Sequence, residues 1–65
     1  MIRQAIKLKG YTQPDVASKL GITRQALIYK LNNPIKFTRK ERRKLCRMLT
    51  IPFAELERYI EEVSL

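Results

Sequence analysis

The chain has 65 residues, room for one small core that buries only about 60% of the surface its unfolded form exposes. Its single cysteine, Cys46, excludes an internal disulfide, and a lone thiol with no histidine excludes a structural zinc site. The 14 Lys and Arg outnumber the 6 Asp and Glu, for a net charge of +8, and the excess is uneven. Residues 1–50 carry 13 basic groups against Asp15 and Glu41, or +11; residues 51–65 set Arg58 against Glu55, Glu57, Glu61 and Glu62, or −3. A basic body with an acidic end points to a polyanion partner for the body. No apolar run approaches the roughly 18 residues of a membrane span, and the N-terminus has no apolar signal-peptide core. Those absences and the free thiol lead us to expect a cytoplasmic protein.

Five helical segments are predicted. The first covers Ile2 to Lys9, with Ile2, Ala5, Ile6 and Lys9 at helical spacing and Gly10 closing it. The second follows Thr12, a cap with Asp15 three residues on, an acidic variant of the capping box. Pro14 falls in its first turn, where a missing N–H costs nothing. Val16, Ala17 and Leu20 form its apolar stripe, and Gly21 stops it. The third helix begins only two residues later with Thr23 as cap; Leu27 and Leu31 share one face, and Asn32, Asn33 and Pro34 end it.

A fourth helix starts at Thr38, where Glu41 completes another capping box, and buries Leu45, Cys46, Met48 and Leu49. The fifth begins near Pro52, with Phe53, Leu56, Tyr59, Ile60 and Val63 along one face. No segment alternates as a strand does. The expected class is all-α: a compact bundle of about five short helices in one domain, residues 1–65, with 52–65 as a C-terminal helix.

The informative stretch runs from Gln13 to Asn32. Gly21, Ile22 and Thr23 make a very tight turn between two helices, with small Ala17 where they should cross. Val16, Leu20, Ile22, Leu27 and Leu31 are apolar where such a pair buries its inner surface. A bulky residue at 17 would part the helices, a Cβ at 21 would strain the turn, and a polar residue at 22 or 27 would be buried unpaired.

These residues, with Thr12-Gln13 and, downstream, Leu45-Cys46, Leu49, Ile51 and Leu56, resemble the phage repressor and Cro family of helix-turn-helix proteins over roughly residues 2–57. The resemblance implies a transcription regulator of Cro size that binds double-stranded DNA in a bacterial host cell, without a cofactor. Two positions depart from the family. Ile6 stands where many relatives carry a phosphate-contacting arginine, leaving Lys7 or Lys9 to replace it. Arg42 stands where they carry an apolar residue, so either helix four is rotated or Arg42 lays its stem over the core.

In this arrangement the start of the second helix of the pair meets base edges. With Leu27 and Leu31 inward, the outward face holds Arg24, Gln25, Ile28, Tyr29 and Asn32. Arg24 suits guanine O6 and N7, and Gln25 suits adenine N6 and N7. Ile28 either packs on a thymine methyl or belongs to the core; Tyr29 packs on a methyl or bonds a phosphate. Arg24, Gln25 and Tyr29 match the family's base-contacting positions. Gln13 at a helix start and Thr23 read as phosphate contacts, although Thr23 also serves as a cap. Asn32, Asn33, Lys36, Arg39 and Lys40 surround the connection that grips the DNA backbone in relatives.

Leu56 should complete the core, leaving Tyr59, Ile60, Val63 and Leu65. A two-fold dimer through this segment, formed in solution or only on DNA, would bury them and set two recognition helices about 34 Å apart, one DNA turn. The alternative is that they fold back onto helix one. Two other functions stay open: a protein-binding modulator using Ile28 and Tyr29, and a DNA-bending recombination factor. An enzyme needs a base, nucleophile or metal cluster, and none is legible.

Overall fold

A computed structural model describes residues 1–64. Five helices follow in chain order: α1 (Ile2–Leu8), α2 (Gln13–Leu20), α3 (Arg24–Asn32), α4 (Arg39–Leu49) and α5 (Phe53–Val63). A short 3₁₀ turn, Pro34–Lys36, joins α3 to α4. The all-α expectation holds. Lys9 caps α1 rather than extending it, and the 3₁₀ turn was not foreseen.

The helix starts are fixed by short side chains. Thr12 Oγ1 accepts the Asp15 N–H at 3.2 Å while Asp15 Oδ2 accepts the Thr12 N–H at 3.0 Å. Thr38 and Glu41 repeat the exchange at 3.1 and 2.8 Å. Thr23 Oγ1 accepts the Ala26 N–H at 3.1 Å, so α3 is capped from one side. Each cap satisfies N–H groups that a helix start leaves orphaned.

The end of α2 sets the geometry of the site. Gly21 sits at φ 72°, and the Ile22 N–H then donates to the Ala17 carbonyl at 3.0 Å. A Cβ on Gly21 would meet nothing within 4 Å, so the demand for glycine comes from the backbone angle alone. The chain can therefore reverse within three residues and lay α3 against α2 over Ala17, which is buried.

All five helices feed one core. Val16, Leu27, Phe37, Leu45, Leu56 and Ile60 are its most completely buried side chains, flanked by Ile2, Ile6, Leu20, Leu31 and Leu49. Ile22, Met48, Ile51 and Tyr59 pack on its edge. Phe37, to which the sequence reading gave no role, plugs the space behind the 3₁₀ turn, which packs between α3 and α5.

Ile60 corrects an expectation. It is only 1% exposed, so it belongs to the core of its own chain and leaves nothing for a partner. Of the residues assigned to a dimer contact, Tyr59 is half-buried and packs on the core, Val63 is exposed, and Leu65 lies outside the described residues.

Thr50 ends α4 at φ 56°, a left-handed conformation that costs a β-branched residue about 1–2 kcal/mol. Glycine removes that strain but gives back about 0.5–1 kcal/mol through its freer unfolded chain. Thr50→Gly should therefore stabilise the protein by roughly 0.5–1 kcal/mol, a rise of a few degrees in the thermal midpoint measured by circular dichroism.

Candidate nucleic-acid interface

The first turn of α3 presents Arg24 and Gln25 to solvent immediately after the Thr23 cap. Neither side chain makes an ion pair or hydrogen bond among the described residues, so both are free to meet a ligand. Tyr29, one turn on, is 52% exposed, and Ile28 between them is half-buried. Leu27 and Leu31 face inward and lock the rotation of the helix. Arg24, Gln25 and Tyr29 thus share an outward ridge on a helix narrow enough for a major groove about 12 Å wide.

Lys30 does not join that ridge. Its Nζ donates to both carboxylate oxygens of Glu41, at 2.7 and 2.8 Å, and so ties α3 to the first turn of α4. Glu41 is thereby bonded twice over, once to Lys30 and once to the Thr38 N–H.

Burial of Glu41 would raise its carboxyl pKa, but the Lys30 and Thr38 hydrogen bonds and the Lys30 charge outweigh it and hold the group below its ordinary 4.5. A carboxyl depressed on folding stabilises the protein fully above its unfolded value and loses that contribution as pH falls through the folded one. The thermal midpoint should therefore be level just above pH 5 and fall as pH drops below 4.5, and less steeply in Glu41→Gln.

The phosphate candidates divide. Lys36, Arg39 and Lys40 are exposed around the start of α4. Thr23 is occupied as a cap acceptor, although its hydroxyl still has a proton to donate. Asn33 closes α3 by donating from Nδ2 to the Tyr29 carbonyl at 3.0 Å. Asn32 Oδ1 accepts from Arg3 at 2.7 Å. The Arg39 guanidinium lies 6.0 Å from the centre of the Phe53 ring, drawn toward α5.

Gln13 is half-buried beside a cleft of about 300 Å³ lined by Arg3, Ile6, Lys7, Tyr11, Gln13 and Leu31. The two cations from α1 thus stand beside the start of α2, and it is Lys7 rather than Lys9 that lines this cleft. Arg3 had no signal in the sequence, because its partner Asn32 lies 29 residues away.

Arg42 settles the departure noted at its position. Helix four keeps its register, and the guanidinium reaches across the core edge. Nε donates to the Phe37 carbonyl at 3.0 Å, one terminal nitrogen to the Ile35 carbonyl at 3.1 Å, and the other to Glu57 at 3.0 and 3.1 Å. This one side chain holds the α3–α4 connection against α5, and with it the position of Lys36. Among the described residues no group of three or more His, Cys, Asp or Glu is placed to hold a metal, and no helix is long and apolar enough to cross a membrane.

Two helices locked at a glycine turn, with a solvated Arg-Gln-Tyr ridge on the second, define a helix-turn-helix domain of the DNA-binding kind. The chain belongs to the family of bacterial regulatory proteins described as the Fis family, which it matches over residues 1–33, the segment spanning α1 to α3. That match supports a DNA-binding transcription regulator and does not single out the phage repressor and Cro family. No curated protein and no solved structure matches the chain.

Proposed function

We propose that this chain is a Cro-like, sequence-specific regulator that occupies a palindromic operator as a homodimer, with α3 in the major groove. The observation that carries the reading is the free Arg24-Gln25 pair on the outer face of a rigidly held α3. Arg24 reads guanine and Gln25 adenine, while Tyr29 and Ile28 contact thymine methyls. Gln13, Thr23, Lys36, Arg39 and Lys40 position the duplex through its phosphates, joined by Arg3 and Lys7 from α1. Asn32, through the amide nitrogen that its bond to Arg3 leaves unused, and Asn33 complete the phosphate contacts.

Each copy measures 27 × 21 × 19 Å. A pair of such copies spans more than about 34 Å, so a two-fold arrangement has room to set recognition helices that distance apart, one DNA turn. The pairing runs through the last two turns of α5, where Val63 is exposed and Tyr59 half-buried.

Selection of bound molecules from a pool of random duplexes tests the proposal. It predicts an enriched palindrome with half-sites about ten base pairs apart. If six phosphates are neutralised per dimer, affinity falls with salt at a log–log slope of roughly −5. Salt-sensitive binding without enrichment would favour an architectural, DNA-bending role instead. Absence of binding at low salt would leave a protein-binding modulator, with Ile28 and Tyr29 as its contact.

A further inference from the structure

An open groove of about 460 Å³ lies at the α4–α5 connection, lined by Arg43, Cys46, Arg47, Ile51 and Phe53. Its floor is apolar and its rim is cationic. The Arg43 guanidinium lies 5.5 Å from the centre of the Phe53 ring, an arrangement that leaves its N–H edge free for a carboxylate. Arg43 and Arg47 sit one helical turn apart, are exposed, and make no ion pair among the described residues, where the pairs are Lys30–Glu41 and Arg42–Glu57.

The same chain carries the complementary shape. The last turn of α5 presents Glu62, exposed and unpaired among the described residues, beside Val63, which is 47% exposed, while Glu61 points to the far side of the helix. This end cannot reach the groove of its own molecule. Phe53 opens α5 and Val63 closes it, and ten residues of helix hold them about 15 Å apart. Any contact between the two must be between copies.

We infer that the C-terminal turn of α5 of one copy seats in the α4–α5 groove of a second, with Val63 on the Phe53–Ile51 floor and Glu62 against Arg43 and Arg47. Charge complementarity is the argument for this occupant. In a chain of net charge +8, whole-molecule repulsion opposes self-association, and only a local pairing of opposite patches overcomes it. This inference rests on the homodimer reading above and names the partner surface for it.

Sedimentation of the DNA-free protein from micromolar to millimolar concentration tests the contact. The wild type should associate, and less so as salt rises. Glu62→Lys, and separately Arg47→Glu, should each weaken association about tenfold, because attraction becomes repulsion, whereas Glu61→Lys should change association little. Arg47→Glu leaves the Arg43 stack on Phe53 in place, and an unchanged thermal midpoint confirms that the fold is intact. Glu62→Lys combined with Arg47→Glu should recover most of the loss. A matched charge reversal at Lys9, outside both patches, should change association little. Association that ignores these reversals yet is lost in Tyr59→Ala overturns the groove contact and keeps the dimer. Absence of association at every concentration overturns the groove contact, and one copy per operator duplex in the same measurement with DNA added overturns the dimer as well.

Discussion

Replacing Arg24 and Gln25 together with alanine should weaken binding to the selected operator by roughly 30-fold to 10⁴-fold, since each good bidentate base contact contributes about 1–3 kcal/mol of discrimination. The loss should be confined to the specific site. Affinity for random duplex should fall only modestly, because Lys7, Lys36, Arg39 and Lys40 supply the sequence-independent part. Stability should hardly move, because both side chains are exposed and unbonded within the protein. This combination separates a base-reading ridge from an ordinary solvated helix surface: the latter would leave specific affinity unchanged. Competition titration of the variant against labelled operator and against random duplex measures both quantities.

Glu41→Ala should carry the largest effect on folding, a loss of about 2–3 kcal/mol. Two interactions disappear together. The Thr38 N–H loses its acceptor, which is half of the α4 capping box, and the Lys30 ammonium is left with no counter-charge at a side chain only 17% exposed. For a domain of this size the thermal midpoint should fall by roughly 8–20 °C, a large share of a small protein's margin. Glu41→Gln retains an oxygen for both the Thr38 N–H and Lys30, so its cost should be nearer 1 kcal/mol. The consequence for function follows from position. Lys30 is on α3 and Glu41 on α4, so the pair fixes the recognition helix against the connection that carries Lys36. Specific DNA binding measured well below the melting range should weaken even where the fold survives. Thermal denaturation of both variants decides the ordering.

Local features of the fold were legible because they are decided within four residues. The Thr12–Asp15 and Thr38–Glu41 boxes, the Thr23 cap and the Gly21 stop were all readable from side-chain chemistry and spacing, and the structure bears each out. The buried stripes of α2 and α3 followed from periodicity. What stayed hidden is what joins distant segments. Nothing near Arg42 announces two carbonyl acceptors at Ile35 and Phe37 and a carboxylate fifteen residues on at Glu57. Phe37 looked like part of a connection because its burial depends on α5 closing over it. Ile60 looked spare because periodicity shows a face without showing how wide a neighbour covers it.

The candidate site divides in the same way. Arg24, Gln25 and Tyr29 were placed outward by the simple rule that Leu27 and Leu31 point in, and that geometry is what the chain adopts. Arg3 was missed, because its place beside Gln13 depends on how α1 packs against the end of α3. Cys46 fits its expected small apolar role in α4: burial, together with the nearby Glu57 charge, pushes its thiol above the ordinary value and keeps it unreactive near neutral pH.

The central claim is that α3 reads DNA through its exposed first turn. Nuclear magnetic resonance of isotope-labelled protein titrated with the selected duplex at low salt tests it residue by residue. The account predicts that the largest shift changes fall on Arg24 to Tyr29, with a second set at Gln13 and from Lys36 to Lys40, and that the outer side of α5 changes only where copies meet. Changes concentrated on α5 and the Arg43–Arg47 groove, with the first turn of α3 unmoved, would contradict it.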